Sequence, residues 1–157
     1  MLPLSPYNMS DVPPEDELLS REEFKERVLV RSKGKCAFCS APATDAHHIL
    51  DRKLFNDGGY YLNNGVAVCE EHHWQCETTE LTLPEVYRAA GIIKPTIPAG
   101  FEADPALYDK WGNRFVDPGS LELYRIGGPL RNDAGCRNAL KRANLLWTVR
   151  EPEEISD

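Results

Sequence analysis

Cys36-Ala-Phe-Cys39, Asp45-Ala-His47-His48-Ile49 and Asn64-Gly-Val-Ala-Val-Cys69-Glu-Glu-His72-His73 are the three pieces of sequence that decide how this chain is read. All four histidines of the chain fall inside them, in two adjacent pairs, and three of its five cysteines stand close by. Cysteine and histidine are the side chains that bind zinc and other transition metals. Crowding them into one segment points to metal chemistry there.

Spacing divides the set. Cys36-x-x-Cys39 and Cys69-x-x-His72 are two half-sites thirty residues apart, and together they offer the four N or S ligands of a tetrahedral structural zinc. Cys76 lies four residues after His72, on the same helix face, and is the alternative to Cys69. Otherwise Cys76 and Cys136 read as small apolar core residues. His72 and His73 are about 100° apart around a helix, so they do not easily serve one ion, and His73 points to a separate place.

Working outward, Ser20-Arg-Glu-Glu23 is a capping box that starts a helix over 21–32, with Phe24, Val28 and Leu29 at helical spacing. Residues 44–50 read as a short strand, 51–64 as a polar loop and 66–68 as an apolar strand. A helix over 70–79 follows, with Glu70 and Glu71 favoured in its first turn. Thr82-Leu-Pro84 restarts a helix that stops at Gly91. Beyond it, Tyr108, Trp111 and Phe115 are packing anchors in a Pro- and Gly-punctuated stretch, and 133–147 is helical in pattern. The expected class is α+β. Its organisation is a flexible acidic, Pro-rich arm (1–19), a metal-bearing core (20–91), an irregular to helical C-terminal extension (92–150) that packs or contacts DNA, and an acidic tail (151–157).

The three pieces resemble, in order and spacing, the HNH endonucleases, the zinc-clipped branch of the ββα-metal nucleases, whose core is treble-clef-like. The match covers about residues 22–80, and its details are also similar to small HNH proteins carried by bacteriophages. The resemblance implies hydrolysis of phosphodiester bonds in DNA, by nicking or cleavage, with a 5′ phosphate and a 3′ hydroxyl as products. It implies a second, catalytic divalent ion, Mg²⁺ or Mn²⁺, held by His47 and His73. His48 would be the general base, since a neutral imidazole accepts a proton from water near neutral pH. Asn64 would orient that base through the backbone or help hold the ion. In a regular strand His47 and His48 face opposite sides, and the family places both at a strand end within reach of one phosphate. Some relatives carry a further histidine where this chain has Glu77. That carboxylate either binds the ion, at the cost of repelling phosphate, or is an ordinary solvated helix acid. Asp45 is either an orienting partner for a histidine or an ordinary strand acid. Tyr60, Tyr61 and Trp74 read as core residues rather than base-stacking groups.

The net charge of −7 argues at first against a nucleic-acid partner. Residues 1–20 and 151–157 hold eight acids and no base, however, so residues 21–150 sum to +1, and residues 125–150 alone to +5. Arg137, Lys141 and Arg142 in that run, and Arg52 and Lys53 after the first histidine pair, are candidate phosphate contacts. The acidic tails suit a protein partner. Cys-x-x-Cys spacing and an odd cysteine count fit thiolates on metal in a reducing cytoplasm, the host's if the chain is phage-encoded. No signal peptide or membrane span is expected, and oligomeric state leaves no mark. Two alternatives stay open: a zinc-stabilised, non-catalytic nucleic-acid- or protein-binding module, and a nuclease directed at RNA.

Overall fold

A computed structural model describes residues 17–117 and Arg142. The expected helix over 133–147, the acidic tail, and Arg137 and Lys141 lie outside the described residues. Arg142 is exposed.

Helix α1 spans Arg21–Arg31 and opens on the expected capping box: the Ser20 hydroxyl accepts from the Glu23 amide, and the Glu23 carboxylate accepts from the Ser20 amide. Strand β1 (Asp45–His48) pairs antiparallel with β2 (Gly65–Val68), His47 opposite Val66 and His48 opposite Gly65. Helix α2 (Glu70–Glu77) leaves β2 at once, with Cys69 as its N-cap. Helix α3 (Leu83–Ala90) starts on a second capping box, Thr82 with Glu85, and ends at Gly91 in the left-handed conformation. The fold is thus a small mixture of helices around one two-stranded sheet. The polar loop between the strands also contains two single 3₁₀ turns, Arg52–Leu54 and Leu62–Asn64. No helix among the described residues is long and apolar enough to cross a membrane.

The sheet has a helix layer on each face. Ala46 and Ala67 pack with Phe24 and Val28 of α1. Val66 and Val68 face the other way, into a larger core with Ile49, Leu50, Cys76 of α2, and Leu83, Val86 and Tyr87 of α3. Strand alternation therefore sends His48 toward α1 and His47 toward α2. Residues beyond α3 share the second core, through Ile92, Leu107 and Tyr108, while Phe115 is fully buried. Leu19, placed in the flexible arm by sequence, is buried, and its amide donates to the Tyr60 carbonyl at 2.9 Å. Trp74, expected in the core, is 53% exposed.

Two contacts tie α1 to the start of β2. The Arg31 guanidinium donates to the carbonyls of Leu62 and Gly65. Gly65 also has no room for a side chain, since a Cβ there would lie 2.6 Å from Val28 Cγ2 and 2.7 Å from Phe24 Cζ. Overpacking of this kind costs about 1–3 kcal/mol. Gly65→Ala is expected to lower unfolding free energy by that amount in a denaturant titration, and an unchanged midpoint would contradict the packing described.

Candidate metal centres

The first cluster is built by a knuckle and a helix start. Ser40, with a φ of 65°, turns the knuckle so that the Cys36 amide donates to the Ala41 carbonyl and the Ser40 amide to the Cys36 carbonyl. Across from it, Cys69 caps α2 and His72 sits in its first turn. Cys69 Sγ lies 3.2 Å from His72 Nδ1, Cys36 Sγ 3.5 Å from the same nitrogen, and Cys39 Sγ 3.7 Å from Cys69 Sγ. Ligands at zinc–sulfur and zinc–nitrogen bond lengths around a tetrahedron stand roughly 3.3–3.8 Å apart, so the Cys36, Cys39, Cys69 and His72 cluster could hold a metal ion such as zinc.

Two of the three thiols are shifted toward thiolate, while at Cys39 the lowering by the Ala41 amide is outweighed by burial and its cysteine neighbours, which raise it. Burial pushes the Cys36 thiol up, but the amides of Phe38, Cys69 and Cys39 outweigh it and leave it below its ordinary value. The His72 amide and ring lower Cys69. Phe38 stacks on the His72 ring at 5.2 Å and fixes its plane. Cys76 is outside this cluster, buried in the apolar core, where burial raises its thiol to about 12.

The second cluster forms where β1 ends against α2. His47, His73 and Glu77 bring their ligand atoms within 4.8 Å of one another, with the His47 and His73 rings edge to face at 4.8 Å. The sequence left Glu77 between ligand and solvated acid; the fold brings it beside both histidines, since it stands one helical turn after His73. Glu77 Oε2 is 3.6 Å from His47 Nδ1. His47 is 4% exposed, and its Nε2 has no hydrogen-bond partner. An unpartnered buried polar atom is costly, and a metal bond would satisfy it. Burial, then Lys110, His73 and His48, hold the His47 pKa well below the usual imidazole value.

His48 points to the other face of the strand, toward α1, and lines the same pocket. Its ring stacks on Phe24 at 4.7 Å and meets Tyr60 edge-on at 4.8 Å, and its buried Nε2 also has no partner. Burial, then Lys110 and Arg52, lower its pKa to about 4, so it is neutral at neutral pH. Asn64 is wholly buried, with its side chain committed to backbone: it accepts from the Leu50 amide at 2.9 Å and donates to the carbonyls of Leu50 and Gly59. Of the two roles considered for it, this geometry fits the first, because it pins the chain just after His48. Asp45 accepts from the Ala46 amide rather than from a histidine.

Both centres were legible as residues, but one partner was not. Lys110, 4% exposed, donates to the His48 carbonyl at 2.8 Å and lies 3.6 Å from Glu77 Oε2. A turn organised by Asp109, which accepts from Trp111 and Asn113, carries it there. The Asp51 amide bonds the Lys110 carbonyl, and the Trp111 indole bonds the Glu77 carbonyl. No local pattern announces such a lysine in sequence.

The second cluster lines an open pocket of about 290 Å³ whose wall also includes Arg21, Lys25 and Arg52. Arg21 and Lys25, one turn apart on α1, were not singled out by sequence. Lys53 is exposed and does not line this pocket. Comparison with known proteins brings no further guidance: no protein-family model, curated protein or solved structure matches the chain.

Two outcomes check these centres. Elemental analysis of the purified chain is expected to find about one tightly held zinc, lost in Cys69→Ala and kept in Cys76→Ala; the reverse pattern would overturn the ligand set. With the structural zinc kept and no ion at the second centre, His47 and His48 are expected to titrate lower folded than unfolded. The unfolded state then binds more protons between about pH 4, the folded His48 value, and the unfolded value near 6.5. Their contribution to stability is therefore lost as pH falls through that window. Thermal scans should show the midpoint dropping from pH 7 to 5, less steeply in His48→Gln; an equal slope in the variant would count against a buried neutral His48.

Proposed function

We propose that this chain is a metal-dependent endonuclease of the HNH, ββα-metal kind that hydrolyses phosphodiester bonds in DNA. The observation that carries the reading is that His47, His73 and Glu77 gather in an open pocket also lined by His48, whose Nε2 has no hydrogen-bond partner. The order strand, strand, helix, with a Cys₃His cluster at the last junction, agrees with it.

His47 and His73 fit a divalent ion in their chemistry, as two imidazoles, the first of them buried, with donor atoms close together. Such an ion, when bound, supplies positive charge to a phosphoryl oxygen and to the departing 3′ oxygen. His48 Nε2 removes a proton from the attacking water. The water oxygen forms the new bond to phosphorus as the bond to the 3′ oxygen breaks, giving a 5′ phosphate and a 3′ hydroxyl. Phe24 and Tyr60 restrict the His48 ring, Lys110 holds its carbonyl, and Asn64 holds Leu50 two residues on. Arg21, Lys25 and Arg52 on the wall are suited to neighbouring phosphates, contacts that position a strand without reading its sequence. In this role Cys36, Cys39, Cys69 and His72 carry a structural zinc.

The test is incubation with supercoiled plasmid, with and without Mg²⁺ or Mn²⁺. The wild type is expected to nick or linearise it only with added ion, and His48→Ala to lose about 10²–10⁴-fold in rate, the usual worth of a general base. Plasmid intact under every metal while structured RNA is cut would move the substrate to RNA. Both intact would leave the non-catalytic module. Equal cutting by His48→Ala would remove His48 from its role.

A further inference from the structure

We infer that Glu77, held by Lys110, is the third protein ligand of the second centre and gives it an anionic donor, and that this centre takes a transition-metal dication such as Mn²⁺ in preference to Mg²⁺. This deepens the proposed function by naming the ion's class and its full protein ligand set; it assumes an ion at His47 and His73 but needs no cleavage to be tested.

The placement of Lys110 is the informative fact. An ammonium group is seldom buried unless it is paired. Lys110 is buried at the junction of β1 and α2, with Glu77 the carboxylate in salt-bridge distance at 3.6 Å and the His48 carbonyl as hydrogen-bond acceptor. The same Glu77 oxygen is 3.6 Å from His47 Nδ1. Glu77 is thus drawn toward the histidines rather than out to solvent, and the Trp111 indole on its own carbonyl keeps the end of α2 in place. His47 is almost fully buried, with Nδ1 toward Glu77 and Nε2 without a hydrogen-bond partner.

The pair also answers the objection that a carboxylate would repel a phosphodiester. Glu77 and Lys110 together are near neutral, so the carboxylate can serve the ion without presenting a bare negative charge to the pocket. A centre of two imidazoles and one carboxylate suits Mn²⁺, Co²⁺, Ni²⁺ and Zn²⁺. Mg²⁺ prefers oxygen ligands and keeps its water shell.

The experiment titrates Mn²⁺ into the full chain with its structural zinc in place, following free Mn²⁺ by electron paramagnetic resonance. One Mn²⁺ per chain is expected, displaced by Mg²⁺ only in large excess, and Glu77→Gln should weaken it about 10-fold or more. Retained zinc serves as the folding control for the variant. Glu77→Gln binding Mn²⁺ as well as the wild type, or Mg²⁺ competing at equal concentration, would overturn the inference. Should Glu77→Gln fail to fold, anomalous scattering from Mn²⁺-soaked wild-type crystals decides. A peak bonded to His47, His73 and Glu77 supports the ligand set, and a peak on the histidines with Glu77 turned away rejects it. Tight Mn²⁺ binding with uncut plasmid would sink the nuclease reading alone.

Discussion

The junction at Cys69 is the constraint on which the rest of the molecule depends. Helix α2 has eight residues, and isolated helices shorter than about 12 residues are marginal in water. It is held by Cys69 and His72 reaching the Cys36–Cys39 knuckle, and by Cys76 inserting into the core. Once that docking is set, helical geometry leaves little choice. His73 is turned about 100° from His72, and Glu77 follows one turn later. Both then face His47 at the end of β1. A one-residue slip of α2 would dissolve both clusters.

The second requirement is electrostatic. A pocket holding imidazoles, one of them buried, and a carboxylate needs its charge arranged before any ligand enters. Lys110 does this from a segment outside the histidine-bearing core, and it bonds both the backbone of β1 and the carboxylate of α2. The same ammonium helps keep His47 and His48 neutral, the state in which imidazoles can bind a metal or accept a proton. Lys110 thus contributes to both positioning and protonation, the latter after burial.

Short-range patterns were legible in the sequence. The capping box at Ser20, the helix start at Thr82-Leu-Pro84, the helix stop at Gly91 and the Cys-x-x-Cys and Cys-x-x-His spacings each act over a few residues, and each lies where its pattern indicates. The opposite facing of His47 and His48 was legible from strand alternation. Partners distant in the chain were not. Lys110 meets His48 across 62 residues, and nothing near Lys110 encodes that pairing. Glu77 was recognised at the right spacing, but its environment depends on Lys110, so sequence could not separate ligand from surface acid. Trp74 was misplaced because an aromatic residue on a short helix is core only if its face is covered, and residue spacing does not reveal that.

The central claim is that the Cys₃His cluster organises the second centre. It is tested most directly by measuring Mn²⁺ binding to Cys69→Ala, a variant in which His47, His73 and Glu77 are unchanged. The account predicts that this variant loses tight Mn²⁺ binding along with its zinc, because α2 no longer presents His73 and Glu77 to His47. Undiminished Mn²⁺ affinity in zinc-free Cys69→Ala would contradict it.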